Sequence, residues 1–298
     1  MRCGNDKQGG AVTDMINASD GLPALLVKQH TLEKLNVIQR YIDQFATAMK
    51  PTGRTTGFRG FRERNYIDLF SGPGTCVVQG SNQETQGSPI LALSTRYPLS
   101  NYYFVDINPD YISALKRRAD ALDGPASHKS YFTGDSNQEV HQIVRFIDKK
   151  LSVNLALIDG FGVECNWSTV ELLASCQRMD LIILFPQGMS INRNLKQWAE
   201  SASNALDAFF GTDEWRQIYR NAGGQASKCI RAFLDLYQRN LRELGYAQTN
   251  QVRELLIRSR GGQKLYYLIF ASRHPLGERF WKQATETSVA GQKRLFDC

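Results

Sequence analysis

The sequence has no Cys-x-x-Cys pair, because its six cysteines are scattered singly along 298 residues. Paired cysteines are the usual ligands of zinc sites and iron–sulfur clusters, so we predict no metal site. Single thiols are typical of a reducing compartment, and we expect a cytoplasmic protein. A run of about 18 apolar residues, which a membrane-spanning helix needs, is also missing. We therefore expect no membrane association, and the polar, glycine-bearing segment 1–22 is interpreted as a mobile tail and not as a secretory signal.

The glycines of a dinucleotide-binding fingerprint are incomplete. That motif needs three glycines, followed by an acidic residue about 20 positions later. Here the turn reads Gly72-Pro73-Gly74-Thr75-Cys76, and the next acidic strand end, Asp106, lies much further along. The intervening segment 79–87 is predicted as a polar loop, with Ser88 capping the helix that Pro89 begins. A nicotinamide or flavin cofactor is an alternative that this spacing disfavours.

What the chain does contain is a series of four apolar, strand-like segments that each end in an aspartate followed by turn residues. The segments are 65–74, 101–106, 130–137 and 155–162, and their acids are Asp68, Asp106, Asp135 and Asp159. Helical patterns at 110–122 and 136–149 separate them. Strands that alternate with helices predict a mostly parallel sheet covered on both faces. The four carboxylates would then line one crevice, although each acid taken alone is also explained as a turn residue or helix cap.

We expect residues 23–298 to form one domain, and the remaining segments predict the other helices and strands of that domain. A helix is expected over 23–49, a fifth strand over 180–186 and a helical insertion over about 190–250. The segments 252–258 and 264–271 read as a hairpin joined by the turn 260–263. The predicted fold class is α/β, a doubly wound, mostly parallel seven-stranded sheet that ends in an antiparallel hairpin.

S-Adenosylmethionine suits a crevice of this chemistry, because its sulfonium is cationic and its ribose offers two hydroxyl groups. Asp106 would accept the ribose hydroxyls, and Asp135 would accept the exocyclic amine of adenine. The methionine end would lie at Asp68 and the turn formed by Phe70, Gly72 and Gly74. These residues are the predicted cofactor-binding set.

The fourth strand end is the candidate catalytic position. Asp159 and the carbonyl of Gly160 would accept hydrogen bonds from a target amine, and Phe161 would stack on the target base. Catalysis would consist mainly of orienting the amine towards the methyl group. Alternatively, Phe161 belongs to the core and Asp159 caps the next helix. Cys165 follows Glu164 and not a proline, so it is interpreted as a small buried residue.

Taken together, these motifs resemble those of the three-Cys-motif partner proteins, a bacterial family similar to S-adenosylmethionine-dependent methyltransferases. The resemblance spans most of the chain beyond residue 22, and its motifs lie at 28–31, 66–74, 87–89, 134–137, 159–162 with Trp167, and 266–275. It implies a class I methyltransferase (Rossmann-like) fold, an S-adenosylmethionine pocket and a partner protein with three cysteines. Gly160 departs from the family pattern, which has proline there, and proline would stiffen the catalytic turn.

The formal net charge is +7 and the pI is about 9.1, which favours a polyanionic partner. Four arginines precede the first strand near Phe58 and Phe61, a composition suited to phosphate contacts and base stacking. They are Arg54, Arg59, Arg62 and Arg64, and Arg193 after the fifth strand is a fifth candidate. The alternative is a solvated loop. The leading hypothesis is thus a methyltransferase acting on an exocyclic amine of nucleic acid. The main alternative is an inactive adaptor on the same fold, and a further option is methylation of the partner protein.

Overall fold

The computed structural model describes residues 15–50, 61, 63–122, 127–200, 204–246 and 252–286. The strands are β1 (Met15–Asn17), β2 (Pro23–Val27), β3 (Glu63–Asp68), β4 (Thr75–Val78), β5 (Glu84–Gln86), β6 (Asn101–Asp106), β7 (His128–Thr133), β8 (Ser152–Ile158), β9 (Met179–Phe185), β10 (Val252–Arg258) and β11 (Lys264–Ala271). The helices are α1 (His30–Ala48), α2 (Ser88–Leu93), α3 (Pro109–Asp120), α4 (Ser136–Phe146), α5 (Trp167–Ala174), α6 (Asn192–Glu200), α7 (Ala205–Phe210), α8 (Glu214–Asn221), α9 (Ala226–Glu243) and α10 (Pro275–Glu286), with a π-helical turn at Gln187–Ile191.

The main sheet has seven strands in the order β10-β11-β9-β8-β3-β6-β7. Neighbouring strands from β9 to β7 are parallel, whereas β11 is antiparallel to both β9 and β10. The chain starts the sheet in its middle at β3 and builds outwards in both directions, so a topological switch point lies at the carboxyl end of β3. This arrangement confirms the predicted class I methyltransferase (Rossmann-like) fold with its terminal hairpin.

Each face of the main sheet carries its own apolar core. One core joins the sheet to α1, α2, α3 and α10, and its largest fully buried side chains include Tyr41, Tyr66 and Phe104. The other joins the sheet to α4–α9 and includes Phe185, Phe209 and Trp215. Because successive side chains of a strand point to opposite faces, β3 sends Tyr66 and Asp68 towards α1 and Ile67 towards α4 and α5.

A second sheet, in the order β1-β2-β4-β5, differs from the sequence-based expectations. The helix expected over 23–49 begins only at His30, because Pro23–Val27 forms β2 and pairs in parallel with β4. Short apolar runs do not distinguish a strand from a buried helix, and here the pairing decides. The expected polar loop 79–87 contains β5, which forms a hairpin with β4. Residues 15–22 of the expected tail form β1 and its connection to β2.

Between β9 and β10, the described residues form α6–α9, which accounts for the helical pattern over about 190–250. The aromatic side chains of this region pack among themselves and against β9. Tyr237 lies 5.1 Å from Phe209 and 5.8 Å from Phe185, measured between ring centroids. No helix within the described ranges is long and apolar enough to cross a membrane.

Candidate active site

The turn that follows β3 is held by close packing of its glycines. Gly72 and Gly74 have φ values of +60° and +86°, a region that disfavours other residues. A Cβ atom at Gly72 would lie 3.0 Å from Cδ1 of Leu25, and one at Gly74 would lie 2.9 Å from Cγ1 of Ile90. The space beside both Cα atoms is therefore filled by the protein, and Leu25 of β2 packs against the turn at Gly72.

Asp106, at the end of β6, is oriented towards this turn by backbone donors. Its Oδ2 accepts a 2.9 Å hydrogen bond from the amide of Gly72, and its Oδ1 accepts one of 2.9 Å from Asn108. Burial raises the pKa of Asp106, and the two amides oppose that rise. Each oxygen keeps a further lone pair for a ligand. Ile107, which follows directly, leaves 76% of its surface exposed and adds an apolar platform beside the carboxylate.

Asp68, at the end of β3, is fully buried beneath the same turn. It accepts hydrogen bonds from Ser88 Oγ at 2.7 Å, from Tyr66 Oη at 3.1 Å and from the amide of Phe70 at 3.4 Å. Burial raises the pKa of Asp68 to about 7, and the charge of Asp159 adds to this rise. The prediction that Ser88 caps α2 was wrong, because Gly87 is the N-cap and the Ser88 hydroxyl binds Asp68 instead.

Asp159, at the end of β8, forms an ion pair with Lys34 of α1. The Nζ atom of Lys34 lies 2.8 Å from Oδ1 and 2.6 Å from Oδ2 of Asp159. The two side chains are only 13% and 12% exposed, so the pair is shielded from solvent. Burial raises the pKa of Asp159, while the ammonium of Lys34 favours the ionised carboxylate.

Two aromatic side chains adjoin this ion pair. The Nζ atom of Lys34 lies 5.8 Å from the ring centroid of Tyr266, within the range of a cation–π contact. The ring of His30 meets that of Tyr266 edge-on at 5.9 Å. Burial, and then the charges of Lys34 and Lys28, lower the pKa of His30, so the imidazole is neutral near pH 7. The hydroxyl of Tyr266 is buried and has no hydrogen-bond partner among the described residues.

Asp135 has the contacts of a helix cap. Its Oδ1 accepts hydrogen bonds of 2.9 Å from the amide and 3.0 Å from the side chain of Asn137, at the start of α4. Asn137 in turn donates to the carbonyl of Glu164 and accepts from the amide of Asn166, which ties α4 to the segment after β8. The helix-cap alternative thus describes the observed geometry of Asp135.

The segment after β8 places Phe161 at the surface. Its side chain is 41% exposed, so the alternative that assigned Phe161 to the core is wrong. A Cβ atom at Gly160 would lie 3.0 Å from a carboxyl oxygen of Glu164 and 3.3 Å from Cζ of Phe70. Glu164 also accepts a 2.7 Å hydrogen bond from the amide of Gly162, which closes this turn. Cys165 is buried, and burial raises its pKa, consistent with a packing role.

The candidate nucleic-acid-binding arginines are not all placed at this rim. Arg54, Arg59 and Arg62 lie outside the described residues. Arg64 lies near the amino end of β3, four residues from Asp68, which corresponds to about 13 Å along a strand. Arg64 therefore lies towards the opposite end of the strand from Asp68, and its role in binding nucleic acid stays a prediction. Arg193 is exposed at the start of α6, after β9, on the same side as the site.

Three residues of the site were missed from the sequence: Lys34, Tyr266 and Ile107. Lys34 lies four positions from both His30 and Ile38, so it shares a helix face with a fully buried residue. A lysine on the buried face of an amphipathic helix is the signal that could have identified it. Ile107 was identifiable as an apolar residue in a turn, directly after a strand-ending acid. Tyr266 begins the motif 266–275 of the resemblance, but its own pattern did not mark it as a site residue, since strands contain many tyrosines.

No protein-family model matches the chain, and no curated protein matches it. Among solved structures, it is similar to a Legionella pneumophila protein of the DUF519 family model, at 8% identity and a TM-score of 0.48, over 84% of this chain and 91% of that one. It is also similar to Trm1 from Pyrococcus horikoshii in complex with S-adenosyl-L-methionine, at 11% identity and a TM-score of 0.40, over 92% of this chain and 64% of that one. A third is an O-methyltransferase from Bacillus cereus in complex with S-adenosylhomocysteine. The identity is 13% and the TM-score is 0.38, over 79% of this chain and 90% of that one. The fold assignment itself rests on the strand order described above.

Proposed function

We propose that this protein is an S-adenosylmethionine-dependent methyltransferase that acts on an exocyclic amine of nucleic acid. The observation that carries the proposal is the grouping of three carboxylates at one rim. Asp68, Asp106 and Asp159 end the adjacent parallel strands β3, β6 and β8, on either side of the switch point. Nucleosides and their derivatives bind at this position in open α/β sheets.

The residues at the rim fit an adenosyl cofactor. Asp106 keeps free lone pairs for ribose hydroxyls while two backbone amides fix its orientation. Ile107 offers an exposed apolar surface to a base. We assign the methionine end to Asp68 and to the turn formed by Phe70, Gly72 and Gly74. Asp135 is assigned to the adenine amine, through the oxygen that does not bind Asn137.

The chain's own contribution to the reaction would be orientation. When bound, S-adenosylmethionine supplies a methyl group whose C–S bond breaks with its electrons going to sulfur, as the acceptor nitrogen forms the new C–N bond and releases a proton. Asp159 would accept a hydrogen bond from the amine and aim its lone pair. The exposed ring of Phe161 would stack on the target base.

Two features support nucleic acid as the substrate class. The net charge of +7 favours a polyanion. Arg193 is exposed beyond the carboxyl end of β9, where it could meet a phosphate of a substrate bound at Asp159.

Isothermal titration calorimetry with S-adenosylhomocysteine tests the cofactor assignment. We expect wild-type protein to bind, and Asp106→Ala to lose at least tenfold in affinity. Asp110→Ala removes an exposed carboxylate at the start of α3 and serves as the charge-matched control, with less than a twofold effect. Absence of binding by wild-type protein at millimolar ligand would overturn the proposal.

The alternative of a non-catalytic adaptor for a three-cysteine protein draws support from Asp159 itself. Lys34 binds both of its carboxyl oxygens, and Gly160 replaces the proline expected from the resemblance. Transfer of a labelled methyl group to host DNA, RNA or protein distinguishes the two functions. Transfer that disappears in Asp159→Ala supports the enzyme. Cofactor binding without transfer, even with the three-cysteine partner present, supports the adaptor.

A further inference from the structure

The acceptor side of Asp159 is occupied in this structure by the ammonium of Lys34. An incoming amine that binds Asp159 approaches a carboxylate whose two oxygens each already accept a hydrogen bond from Lys34, of 2.8 and 2.6 Å. Lys34 is 13% exposed, so displacement from Asp159 would leave its ammonium largely shielded from solvent at this position. A buried ammonium without a counter-ion is strongly unfavourable. An acceptor that also carries an anion would give Lys34 a second counter-ion and would free Asp159 for the amine.

We propose that Lys34, Tyr266 and His30 form a subsite for a phosphate group of the acceptor, next to Asp159. This inference rests on the proposed function, because it assumes that an acceptor amine binds Asp159. In the subsite, Lys34 would exchange the carboxylate for a phosphate oxygen while the amine takes its place on Asp159.

Tyr266 supplies the second donor of the subsite. Its hydroxyl is buried and has no hydrogen-bond partner among the described residues, an arrangement that is costly unless a ligand satisfies it. The centroid of its ring lies 5.8 Å from Lys34 Nζ, which places the two side chains side by side. Burial raises the pKa of Tyr266 well above its usual range, so the phenol keeps its proton and acts as a donor.

His30 forms the outer wall of the subsite. It is half-buried, and its ring is 5.9 Å from that of Tyr266. A neutral imidazole retains one N–H donor and adds no charge of its own. Lys34 is therefore the cation that would balance the phosphate.

Phosphate is the anion that the chain favours over a carboxylate. The protein carries a net charge of +7, which draws polyanions towards it. Phosphate also offers several strong acceptor oxygens, enough to bind Lys34 and the Tyr266 hydroxyl at once. The expected acceptor is a nucleotide unit whose base carries an amine and whose phosphate lies within the same residue or the next one.

The test is a calorimetric titration of protein saturated with S-adenosylhomocysteine. The probes are the 5′-monophosphates of deoxyadenosine, deoxycytidine and deoxyguanosine, each compared with its own nucleoside. We expect at least one monophosphate to bind tenfold or more tightly than its nucleoside. In Lys34→Met this ratio should fall below threefold, and Tyr266→Phe should lower it several-fold.

The control variants separate the subsite from general charge and from misfolding. Lys28→Met removes the same charge from an exposed position near His30 and should keep the wild-type ratio. Lys34→Arg keeps the cation and should retain a phosphate preference, while thermal unfolding shows that each variant is folded. An equal ratio in wild type and Lys34→Met, or no phosphate preference for any probe, would overturn the subsite alone. Failure of wild-type protein to bind S-adenosylhomocysteine would overturn the proposed function and the subsite with it.

Discussion

Ser88 donates a 2.7 Å hydrogen bond to Asp68, although the two residues are 20 positions apart and Ser88 begins a helix. The bond favours the ionised carboxylate, but burial outweighs it and sets the pKa of Asp68 at about 7. Asp68 therefore changes its charge near neutral pH, next to the proposed cofactor crevice.

The stability of the protein should depend on pH through Asp68. Between about pH 4 and pH 7, the folded chain keeps a proton on Asp68 that the unfolded chain has lost, so the free energy of unfolding falls as pH rises. We expect Asp68→Asn to reduce this fall by up to about 3 kcal/mol between pH 5 and pH 8, at about 1.4 kcal/mol per pKa unit. Urea unfolding at both pH values measures it. Ser88→Ala should raise the pKa of Asp68 further and so enlarge the fall between pH 5 and pH 8. An unchanged fall in Asp68→Asn would contradict the assignment.

Cofactor discrimination should follow the same titration. S-Adenosylmethionine carries one more positive charge than S-adenosylhomocysteine, so ionised Asp68 favours it. We expect the ratio of the two affinities to rise several-fold from pH 6 to pH 8 and to stay flat in Asp68→Asn. Burial lowers the pKa of His30, which moves its titration towards more acid pH and away from that of Asp68. Calorimetry with both ligands at each pH is the measurement, and a flat ratio in wild type would count against Asp68 as a cofactor contact.

Lys34 and Asp159 should be energetically coupled. Removal of one partner leaves a buried charge unpaired, which typically costs about 3–5 kcal/mol. We expect Lys34→Met and Asp159→Asn each to destabilise the fold, and the double variant to lose less than the sum of the two. Chemical unfolding of all four proteins gives the coupling energy. The solvent-exposed pair Lys196 and Glu200, 3.9 Å apart, serves as a comparison and should show coupling below about 1 kcal/mol.

Substitution of Gly72 should reveal how tightly β2 covers the turn. Gly72→Ala meets both an unfavourable φ and Cδ1 of Leu25 at 3.0 Å. Gly80 has a similar φ of +85°, but a Cβ atom at Gly80 would have no neighbour within 4 Å among the described residues. Gly80→Ala thus reports backbone strain alone, which is about 1–2 kcal/mol. We expect Gly72→Ala to destabilise more, and Leu25→Ala to relieve the excess in the double variant, as measured by thermal unfolding.

The fold was predictable because most strands of the main sheet have a recognisable pattern of their own. The segments that end at Asp68, Asp106 and Asp159 are apolar and β-favouring, and the hairpin residues 252–258 and 264–271 coincide with β10 and β11. Alternation with helices then leaves few topologies. The small sheet was not predictable in this way, since β2 is defined by its partner β4 and not by its own pattern.

The site was predictable only along the main sheet. Strand-ending acids follow from sequence position, but Lys34 reaches Asp159 from a helix 125 positions away. No local sequence pattern predicts that contact. The only signal was the position of Lys34 on the buried face of α1. Composition drew attention to Arg64, which lies near the amino end of β3, away from the carboxyl end that carries Asp68. By sequence, Ser88 could either cap α2 or donate a hydrogen bond to a carboxylate. The packing of α2 against Asp68 selects the second role.

The hydrogen bonds of Arg118 determine where this protein can be shortened at its amino-terminal side. From α3, its buried guanidinium donates five hydrogen bonds, to both carboxyl oxygens of Asp20 and to the carbonyls of Leu22, Pro23 and Pro73. A shortened form that started at α1 would remove Asp20, Leu22 and Pro23. The guanidinium of Arg118 would then keep only the carbonyl of Pro73 among these acceptors. The amino-terminal boundary of an engineered version should accordingly lie before β1, although the polar sequence of residues 15–22 suggests that they are dispensable.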